Sequence, residues 1–348
     1  MLIYVPLEHI DGRYTIHMDQ AIEQYLTDQN IKYHKIMPTT ETPELPEGQF
    51  LNSAFTSKFK ALQMAEIAQM IEDGTIGDGD TFFFSDIWFP GIESIAYMKY
   101  FNKMPNLKIT GVIHAGSFTD TDFVRDMERW AKNFEDIIFD ISDTIFCASD
   151  FIKNDIIKKR MIDPSKLIVS GLPIDYKELK KLDKRNSIKE DIVIFNGRLC
   201  DEKQPHLFDE LEKQVKAKMN LSDVKFIKTQ ELNLSKQDYY ELLSRSKVVV
   251  SYALQENFGF GVMEAAYLGC DPILPNRLVY PEIYEDCHLF DTFEQSVDMT
   301  INALIKYDDT EPCMFMEEEF TMNTWFGKEE PYVSQREYFA NDEPWDQR

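Results

Sequence analysis

Apolar residues along the chain follow two alternating patterns. Short runs rich in β-branched and aromatic residues indicate buried strands, and longer segments with apolar residues three or four positions apart indicate amphipathic helices. The first run, MLIYVPL, occupies positions 1–7, and the helical pattern TIHMDQAIEQYLTDQN follows it at 15–30. Further strand patterns occur in KYHKIMP, TFFFSD, LKITGVIHAG, DTIFCASD and KLIVSG, and further helical patterns in KFKALQMAEIAQMIEDG and IESIAYMKYFNKM. This alternation predicts a mostly parallel sheet covered by helices on both faces.

The alternation is interrupted once and then resumes. Residues 176–190, YKELKKLDKRNSIKE, are charged and hold few large apolar side chains, so we predict a linker there. A second series follows, with strand patterns in DIVIFNGRL, DVKFIKT, KVVVSYA and DPILP and helical patterns in HLFDELEKQVKAKM, SKQDYYELLSRS and GVMEAAYLG. We therefore predict an α/β chain of two doubly wound, Rossmann-like domains, at 1–175 and 191–305, facing across a cleft. The tail, 306–348, holds several aromatic residues and is expected to pack on one of the domains.

Composition is that of a globular protein with full cores, since 43% of the 348 residues are hydrophobic and 13% are aromatic. No apolar run approaches the roughly 20 residues that a membrane helix needs, and the N-terminus is too short and acidic for a signal peptide. The five cysteines form no CxxC pair, which indicates reduced thiols rather than a disulfide framework or a zinc site. We expect a soluble cytoplasmic protein without a membrane partner. The net charge of −24 favours solubility and opposes non-specific binding to nucleic acid.

The loop after KVVVSYA is the first candidate site, because ligands of open α/β sheets bind beyond the carboxyl ends of the strands. In LQENFGFGVMEAAYLG (254–269), two glycines allow close approach of the backbone, and the start of a helix suits a phosphate or sugar hydroxyls. Two carboxylates, Glu256 on the loop and Glu264 in the predicted first helical turn, can bind vicinal hydroxyls. The backbone of this candidate site comprises Phe258, Gly259, Phe260 and Gly261. The alternative is an ordinary charged helix cap.

The loop after DIVIFN carries cations instead. Arg198 and Lys203 are five residues apart across a predicted strand-to-helix turn, which allows both to converge on one diphosphate. The alternative is a solvated charged loop. Cations on one loop and carboxylates on the other together suit a nucleotide diphosphate that is attached to a sugar.

The paired motifs GRL-x-x-EK (197–203) and E-x7-E (256–264) resemble those of the retaining family-4 glycosyltransferases of GT-B architecture, over roughly 190–285. The resemblance implies that Arg198 and Lys203 bind the donor diphosphate and that Glu264 holds the donor ribose. It also implies that Glu256 and the amides of Phe258 and Gly259 face the transferred sugar, and Phe260 is a further donor-binding candidate. No metal and no further cofactor is required in that family, because cations and the helix dipole stabilise the leaving group.

The N-terminal half departs from the pattern of that family. The family carries a glycine-rich first loop, whereas PLEHIDGRYT (6–15) has Gly12 alone, so we expect Arg13 and Tyr14 to substitute. In TGVIHAGSF, His114 stands at the end of a strand, where the resemblance implies a contact with the acceptor and the transferred sugar; the alternative is a satisfied core histidine. Asp86 and Trp88 in FSDIWFPGIES are predicted to face the cleft, the alternative being core aromatics beside a turn.

Several segments (VPLEHIDGRYT, SDIWFPGIE, IHAGSF and FCASDFIK) resemble glycosyltransferases encoded by bacteriophages, some of which modify hydroxymethylated pyrimidines such as hydroxymethylcytosine in DNA. This resemblance implies a DNA acceptor and, for a phage protein, the host cytoplasm. The most basic stretch, 152–166, is then a candidate DNA contact or else a solvated helix. The DGD at 78–80 and the TDTD at 119–122 imitate a metal-binding DxD, but we interpret both as turns.

The prediction is a metal-independent, retaining hexosyl- or pentosyltransferase that uses a nucleotide-diphosphate sugar, with UDP favoured. Its first acceptor is a 5-hydroxymethylpyrimidine in phage DNA, and a glycan or polysaccharide is the second. A GT-B epimerase or phosphorylase would share the donor half and need no macromolecular acceptor. A non-enzymatic module would bind the nucleotide and never turn it over.

Overall fold

The computed structural model describes residues 1–10, 14–40, 52–174, 179, 181, 189–219, 223–284, 288–306 and 318–327. They divide into two compact units, which are described one at a time. The described residues of unit 1 fall within 1–148, 152–173 and 322–327, and those of unit 2 within 149–151, 174–306 and 318–321.

Unit 1 is built on one parallel sheet whose strands come from the apolar runs that the sequence pattern predicts. The order is β2-β1-β3-β4-β5-β6, and every neighbouring pair is parallel. The loops that follow β1, β3 and β4 therefore lie at one edge of the sheet, side by side. The strands are β1 (Leu2–Val5), β2 (Tyr33–Lys35), β3 (Thr81–Phe84), β4 (Lys108–Ile113), β5 (Thr144–Cys147) and β6 (Leu167–Val169).

The helices of unit 1 alternate with these strands. They are α1 (Thr15–Asp28), α2 (Ser53–Glu72), α3 (Ile92–Phe101), α4 (Glu128–Ile141) and α5 (Asp150–Lys159), of which Asp150 and Phe151 belong to unit 2. The side chain of Asn52 caps α2 by accepting a hydrogen bond from the N–H of Phe55 at 3.1 Å. Helix α4 buries one face, to which Ala131, Glu135 and Ile138 belong. The sequence pattern did not predict α4.

Unit 2 repeats the arrangement with five parallel strands in the order β11-β10-β9-β7-β8. Because β7 and β9 are neighbours, the loops that follow them, 50 or so residues apart in the chain, lie beside each other. The strands are β7 (Glu190–Phe195), β8 (Lys225–Lys228), β9 (Ser246–Val250), β10 (Asp271–Pro275) and β11 (Leu289–Phe290). The strand β11 is short and was not predicted.

Helices cover this second sheet and close its core. Phe208 and Leu211 are buried against Val193 and Phe195 of β7. The helices are α6 (Pro205–Met219), α7 (Lys236–Arg245), α8 (Phe260–Tyr267), α9 (Tyr280–Ile283) and α10 (Phe293–Ile305). Helix α10, which the sequence pattern missed, starts with a capping box between Thr292 and Gln295.

The described part of the tail contains one more helix, α11 (Glu318–Phe326). Its residues Trp325 and Phe326 belong to unit 1 and pack on Phe83 of β3, with ring centroids 5.3 and 4.6 Å away. The indole N–H of Trp325 also donates to the hydroxyl of Ser170 at 2.8 Å. Aromatic burial of this kind fixes the end of the helix against the sheet.

Three smaller predictions concern single segments. The DGD and TDTD segments lie in turns, as predicted: Asp80 accepts from the N–H of Gly77 at 2.8 Å, and Asp122 accepts from the N–H of Val124 at 3.0 Å. Among the described residues, no helix is long and apolar enough to cross a membrane. The predicted linker lies almost wholly outside the described residues, as does Arg13.

Candidate functional site

A pocket opens at the carboxyl edge of the unit 2 sheet, where the loops after β7 and β9 meet. It has an empty volume of about 340 Å³ that is open to solvent, which is at the small end of ligand-binding pockets. The loop after β7 contributes Asn196, Gly197 and Lys203, the loop after β9 contributes Ser251 and Glu256, and the helices contribute Gly261, Val262 and Tyr280. The two loops that the sequence singled out are therefore joined in one site.

Lys203 is a cation at the floor of this pocket. The residue is 8% exposed, and its ammonium donates to the carbonyl of Gln255 and to the carboxylate of Glu256, the latter at 3.1 Å. A largely buried lysine is retained where a carboxylate or another anion compensates its charge. The carboxylate of Glu256 also accepts a hydrogen bond from the backbone N–H of Gly259 at 3.1 Å. Its side chain is 25% exposed, so an incoming ligand can reach it.

The first turn of α8 presents its backbone to the pocket. Gly259 precedes the helix with φ of +87°, a conformation that a residue with a side chain rarely adopts. A Cβ at Gly261 would lie 3.0 Å from the amide nitrogen of Asn196, which donates to the carbonyl of Gly261 at 2.5 Å. Glycine at 261 therefore allows the end of β7 and the start of α8 to approach each other closely. The helix N-terminus, with about +0.5 of an elementary charge, suits an anion here.

Phe258 and Phe260 flank Gly259 but do not line the pocket. Phe258 is 2% exposed, and its ring meets that of Phe260 edge-on at 5.1 Å between centroids. Their side chains anchor the turn. The side chain of Phe258 is buried, so a ligand can reach this residue only at its backbone, whereas Phe260 is partly exposed.

Glu264 lies in the second turn of α8, because the helix starts at Phe260; the predicted first-turn position is wrong. Its carboxylate accepts the hydroxyl of Tyr240, on α7, at 2.8 Å. The neighbouring Tyr239 has a pKa well above its ordinary value, first because it is buried and then because of the charge of Glu264. Two tyrosines of α7 thus lie beside this carboxylate, which accepts a hydrogen bond from one of them.

Arg198 does not join Lys203 in the pocket lining. Its guanidinium is paired with Glu202 four residues later, and its side chain is 47% exposed. The two cations therefore share a loop without converging in this structure. Sequence reasoning missed four pocket or neighbouring residues, Asn196, Ser251, Tyr240 and Tyr280. For Asn196 the signal was present, since it directly follows the apolar run of β7.

In unit 1 the loops after β1, β3 and β4 bring His114 and Tyr14 together. The Nε2 atom of His114 lies 2.7 Å from the carbonyl of Ser85, and its ring is 5.5 Å from that of Tyr14. The hydrogen bond selects one orientation of the imidazole. His114 is partly exposed rather than buried in the core.

Asp86 and Trp88 form a turn after β3. The carboxylate of Asp86 accepts the N–H of Trp88 at 3.0 Å and pairs with Lys60 at 3.3 Å. The indole of Trp88 packs edge-on against Phe134, 4.8 Å away, and against Trp130 at 5.9 Å. Both side chains are thus engaged within unit 1, although each remains partly exposed.

The loop after β4 is held by a buried charge pair. Glu135 of α4 is fully buried, and its carboxylate accepts from the N–H and hydroxyl of Ser117 at 2.6 and 2.9 Å. The guanidinium of Arg160 donates to the same carboxylate at 2.8 and 3.0 Å and to the hydroxyl of Ser117 at 2.7 Å. The side chain of Arg160 is 1% exposed.

This pair corrects the prediction for the basic stretch 152–166. Arg160 is a core residue and no part of a basic surface. Lys159 pairs with Asp120 at 3.0 Å and with Asp155 at 3.3 Å. Lys158 is exposed. Of the three consecutive cations Lys158, Lys159 and Arg160 in this stretch, two are thus already engaged within unit 1.

In the part of the chain that the structure describes, no group of three His, Cys, Asp or Glu side chains is arranged to hold a metal ion. The cysteines described there, Cys147, Cys200 and Cys270, form no disulfide. Burial raises the pKa of the Cys270 thiol to about 12, so this cysteine is neither a ligand nor a nucleophile at neutral pH.

Comparisons with known proteins agree with this architecture. No protein-family model matches the chain. A tRNA-queuosine alpha-mannosyltransferase of Drosophila melanogaster is 35% identical over 105 residues, which are 30% of this chain and 26% of that protein. The chain thus matches about a quarter of the length of that relative.

Solved structures match over most of the chain at low identity. A UDP-forming alpha,alpha-trehalose-phosphate synthase of Burkholderia vietnamiensis shares 11% identity with a TM-score of 0.57, covering 87% of this chain and 90% of that one. HepE of Anabaena, in complex with UDP, shares 12% with a TM-score of 0.54, covering 92% and 93%. A glycosyltransferase of Rickettsia africae shares 13% with the same TM-score, covering 92% and 95%. The protein therefore has the GT-B fold that its sequence predicts.

Proposed function

We propose that the protein is a glycosyltransferase that moves a sugar from a UDP-sugar to an acceptor hydroxyl. The observation that carries the proposal is the pocket of unit 2, in which the ammonium of Lys203 and the first turn of α8 line the same space. A cation and a helix N-terminus at one point suit a diphosphate. The fold is that of structures solved with UDP, and the Drosophila relative is named as a mannosyltransferase.

The bond to be broken joins the anomeric carbon of the sugar to the β-phosphate. Its electron pair leaves on the UDP diphosphate, where Lys203 and the N–H groups of Gly261 and Val262 would stabilise the added negative charge. Arg198 would release Glu202 and add a second cation. We propose that this set makes a metal ion unnecessary and that no further cofactor takes part.

The two glutamates are assigned different roles. Binding of a diphosphate at Lys203 would compete with its contact to Glu256, which frees that carboxylate for the hydroxyls of the transferred sugar. The backbone of Phe258, Gly259 and Phe260 would border the same sugar. Glu264, held by Tyr240, would bind the ribose hydroxyls of the nucleotide. The resemblance of the E-x7-E motif supports retention of configuration at the anomeric carbon.

For the acceptor we propose a hydroxyl on a modified base of a nucleic acid, with contacts from Tyr14, His114, Asp86 and Trp88 in unit 1 and from Arg13. The resemblance of the N-terminal half favours a 5-hydroxymethylpyrimidine in DNA. The 35% match favours the acceptor of the Drosophila enzyme, queuosine in tRNA, as a second candidate. We place the reaction in the cytoplasm, where nucleotide sugars and nucleic acids occur together.

The test measures nucleotide release from UDP- and GDP-hexoses with four acceptors: hydroxymethylated DNA, unmodified DNA, tRNA with queuosine and tRNA without it. Mass spectrometry of the digested nucleosides then identifies the product, and the coupling constant of its anomeric proton gives the configuration. We expect sugar transfer to one modified acceptor and none to its unmodified partner.

Other outcomes lead to the rival functions. Conversion of the nucleotide sugar to an epimer without any acceptor would indicate an epimerase, and release of a sugar phosphate from a glucan and phosphate would indicate a phosphorylase. Binding of UDP without turnover would indicate a non-enzymatic module. Transfer to a polysaccharide in place of both nucleic acids would support the glycosyltransferase activity and contradict the proposal that a modified base is the acceptor.

A further inference from the structure

A histidine–aspartate pair lies in unit 1, outside the residues assigned so far. His9 follows β1, and its Nε2 atom is 2.7 Å from Oδ2 of Asp19 on α1. The Asp19 side chain is 3% exposed, whereas that of His9 is 37% exposed. The carboxylate is thus buried behind the ring, and part of the imidazole remains open to an incoming molecule.

Two further hydrogen bonds hold Asp19 in place. The hydroxyl of Tyr4 donates to Oδ1 at 2.9 Å, and the ammonium of Lys35 donates to Oδ2 at 2.7 Å and to Glu23 at 2.8 Å. Burial and then the charge of Asp19 raise the pKa of Tyr4, so that Tyr4 remains a neutral donor. Burial opposes the charge of Lys35, but the hydrogen bonds to Asp19 and Glu23 raise its pKa above the ordinary value.

The Nε2 atom of His9 is the ring nitrogen that faces Asp19, and the ammonium of Lys35 lies on the same carboxylate oxygen. A neutral imidazole that donates its Nε2–H to Asp19 carries its lone pair on Nδ1. Glu8, the residue before His9, is 3% exposed and accepts the hydroxyl of Thr56 at 2.5 Å. This arrangement has the chemical form of a base that an acidic partner orients.

The pair belongs to the same edge of the sheet as His114. Tyr4 accepts a hydrogen bond from the hydroxyl of Ser85 at 3.1 Å, and the carbonyl of Ser85 is the partner of His114. Tyr14, on the loop that starts at β1, packs on the His114 ring. His9 and His114 are therefore connected through Asp19, Tyr4 and Ser85, and they follow β1 and β4, which lie on either side of β3 in the sheet.

We propose that His9 is the catalytic base for the acceptor, with Asp19 as its positioning residue; this inference rests on the proposed function. The acceptor O–H bond breaks, and its proton goes to Nδ1 of His9. The electron pair of that oxygen forms the bond to the anomeric carbon, and the bond from that carbon to the β-phosphate breaks with its pair leaving on UDP. His9, rather than the leaving phosphate of UDP, accepts this proton, whether the configuration at the anomeric carbon is retained or inverted.

The kinetic test compares His9→Ala and His9→Gln with His34→Gln, whose histidine pairs with Glu66 on the surface at 3.6 Å and serves as the control. We expect both His9 variants to lose about 10²–10⁴-fold in kcat for transfer. UDP affinity, acceptor-free donor hydrolysis and thermal stability should remain close to those of the wild type. Added imidazole should restore part of the rate of His9→Ala and should leave the rate of His34→Gln, which is expected to match the wild type, unchanged.

A structural role would give a different result. If His9 only fastens the loop after β1, His9→Ala lowers the melting temperature and imidazole restores no activity, which overturns the inference. A His9→Ala enzyme with wild-type kcat also overturns it and leaves the transferase function intact. No transfer by the wild-type chain to any acceptor overturns the proposed function and this inference together.

A second measurement does not depend on activity. Nitrogen-15 NMR of the histidine rings at neutral pH distinguishes the two neutral tautomers of His9, assigned through His9→Gln. We expect the proton on Nε2, since that nitrogen faces Asp19. A proton on Nδ1, or a doubly protonated ring, would remove the lone pair that the proposed base requires.

Discussion

Lys203 and Glu256, 53 positions apart in the chain, form an ion pair of 3.1 Å at the floor of the unit 2 pocket. Each residue has a second function in the local structure. Lys203 donates to the carbonyl of Gln255, and Glu256 accepts the N–H of Gly259 at the start of α8. A diphosphate that reaches Lys203 therefore changes the loop of Glu256 as well, and donor binding is expected to rearrange both.

The first prediction ranks the two cations of the loop after β7. Lys203→Met should weaken UDP binding by about 10- to 100-fold, as expected for a hydrogen bond from a charged donor worth roughly 1.5–3 kcal/mol. Arg198→Met should cost less than about fivefold, because its exposed guanidinium is screened by water and already paired with Glu202. Calorimetric titration with UDP gives both values.

The control for this ranking is Lys213→Met. Lys213 is 73% exposed on α6 and pairs with Glu210 at 3.5 Å, so its removal changes the net charge by the same amount at a distance from the pocket. If Lys213→Met and Lys203→Met lose UDP affinity equally, the loss results from the change in net charge and not from a contact of Lys203 with UDP. A larger loss in Arg198→Met than in Lys203→Met would contradict the ranking.

The second prediction concerns the support of Glu264 by Tyr240. Tyr240→Phe removes one hydrogen bond, worth about 1 kcal/mol, from a carboxylate that is proposed to hold the ribose. UDP affinity should fall about fivefold, since 1 kcal/mol corresponds to that factor. The affinity for 2′,3′-dideoxy-UDP should not change, because this ligand lacks the hydroxyls that Glu264 would bind.

Tyr33→Phe provides a matched control. It removes a comparable hydrogen bond between tyrosine and glutamate, of 3.1 Å to Glu23, in unit 1. This variant should leave the affinities for UDP and for the dideoxy compound unchanged. If Tyr240→Phe weakens both ligands equally, Glu264 does not act through the ribose hydroxyls.

Much of this site could be predicted from sequence, because strands that are buried on both faces give uninterrupted apolar runs. The ends of the runs at Phe195 and Val250 locate the loops, and the rule for parallel sheets puts their polar residues at one edge. Lys203 and Glu256 were accordingly predicted to lie in one site, and their side chains do meet there. The order of the strands in the sheet depends on tertiary packing, so the local sequence pattern does not predict it.

What could not be predicted depends on partners that are distant in the chain. Arg160 follows two lysines and has the local pattern of a solvated helix end. It is nevertheless buried in the core, where it pairs with Glu135, 25 positions earlier. His9 has no motif of its own, and Asp19 becomes its partner only when α1 folds back on β1. The position of Glu264 was misjudged because Phe260, rather than a later residue, begins α8.

The third prediction tests the buried pair of Arg160 and Glu135. Arg160→Ala should lower the free energy of unfolding by about 3–5 kcal/mol, because it leaves a buried carboxylate without its cation. Lys158→Ala, an exposed change two residues earlier, should stay within about 0.5 kcal/mol of the wild type. Urea unfolding measures both.

The double variant Arg160→Met with Glu135→Leu distinguishes a charge effect from a packing effect. Because it removes both charges, it should be more stable than Arg160→Ala, despite the larger change in sequence. A double variant that is less stable than Arg160→Ala would show that the hydrogen bonds to Ser117 are the main stabilising contribution. Any DNA-binding test on 152–166 should change Lys158 and leave Arg160 intact.

The last prediction is a pH dependence at Glu282 of α9. Its carboxylate accepts the backbone N–H groups of Asp150 and Phe151, which belong to unit 2, at 2.8 and 3.1 Å. Burial raises the pKa of Glu282 to about 7, although these two hydrogen bonds act in the opposite direction. The folded protein therefore holds this proton more tightly than the unfolded chain, in which the carboxyl has its ordinary pKa near 4.5.

The sign of the effect follows from this difference. Between about pH 4.5 and 7 the unfolded chain loses the proton before the folded protein does, so the contribution of Glu282 to stability falls as the pH rises. The total change is on the order of 3 kcal/mol. Glu282→Gln cannot ionise, so the difference in melting temperature between wild type and Glu282→Gln should shift in favour of the variant from pH 5 to pH 8. Glu294→Gln, an exposed change in the first turn of α10, is the control and should show no such shift. If the difference in melting temperature between wild type and Glu282→Gln does not depend on pH, the carboxylate of Glu282 is ionised throughout this range.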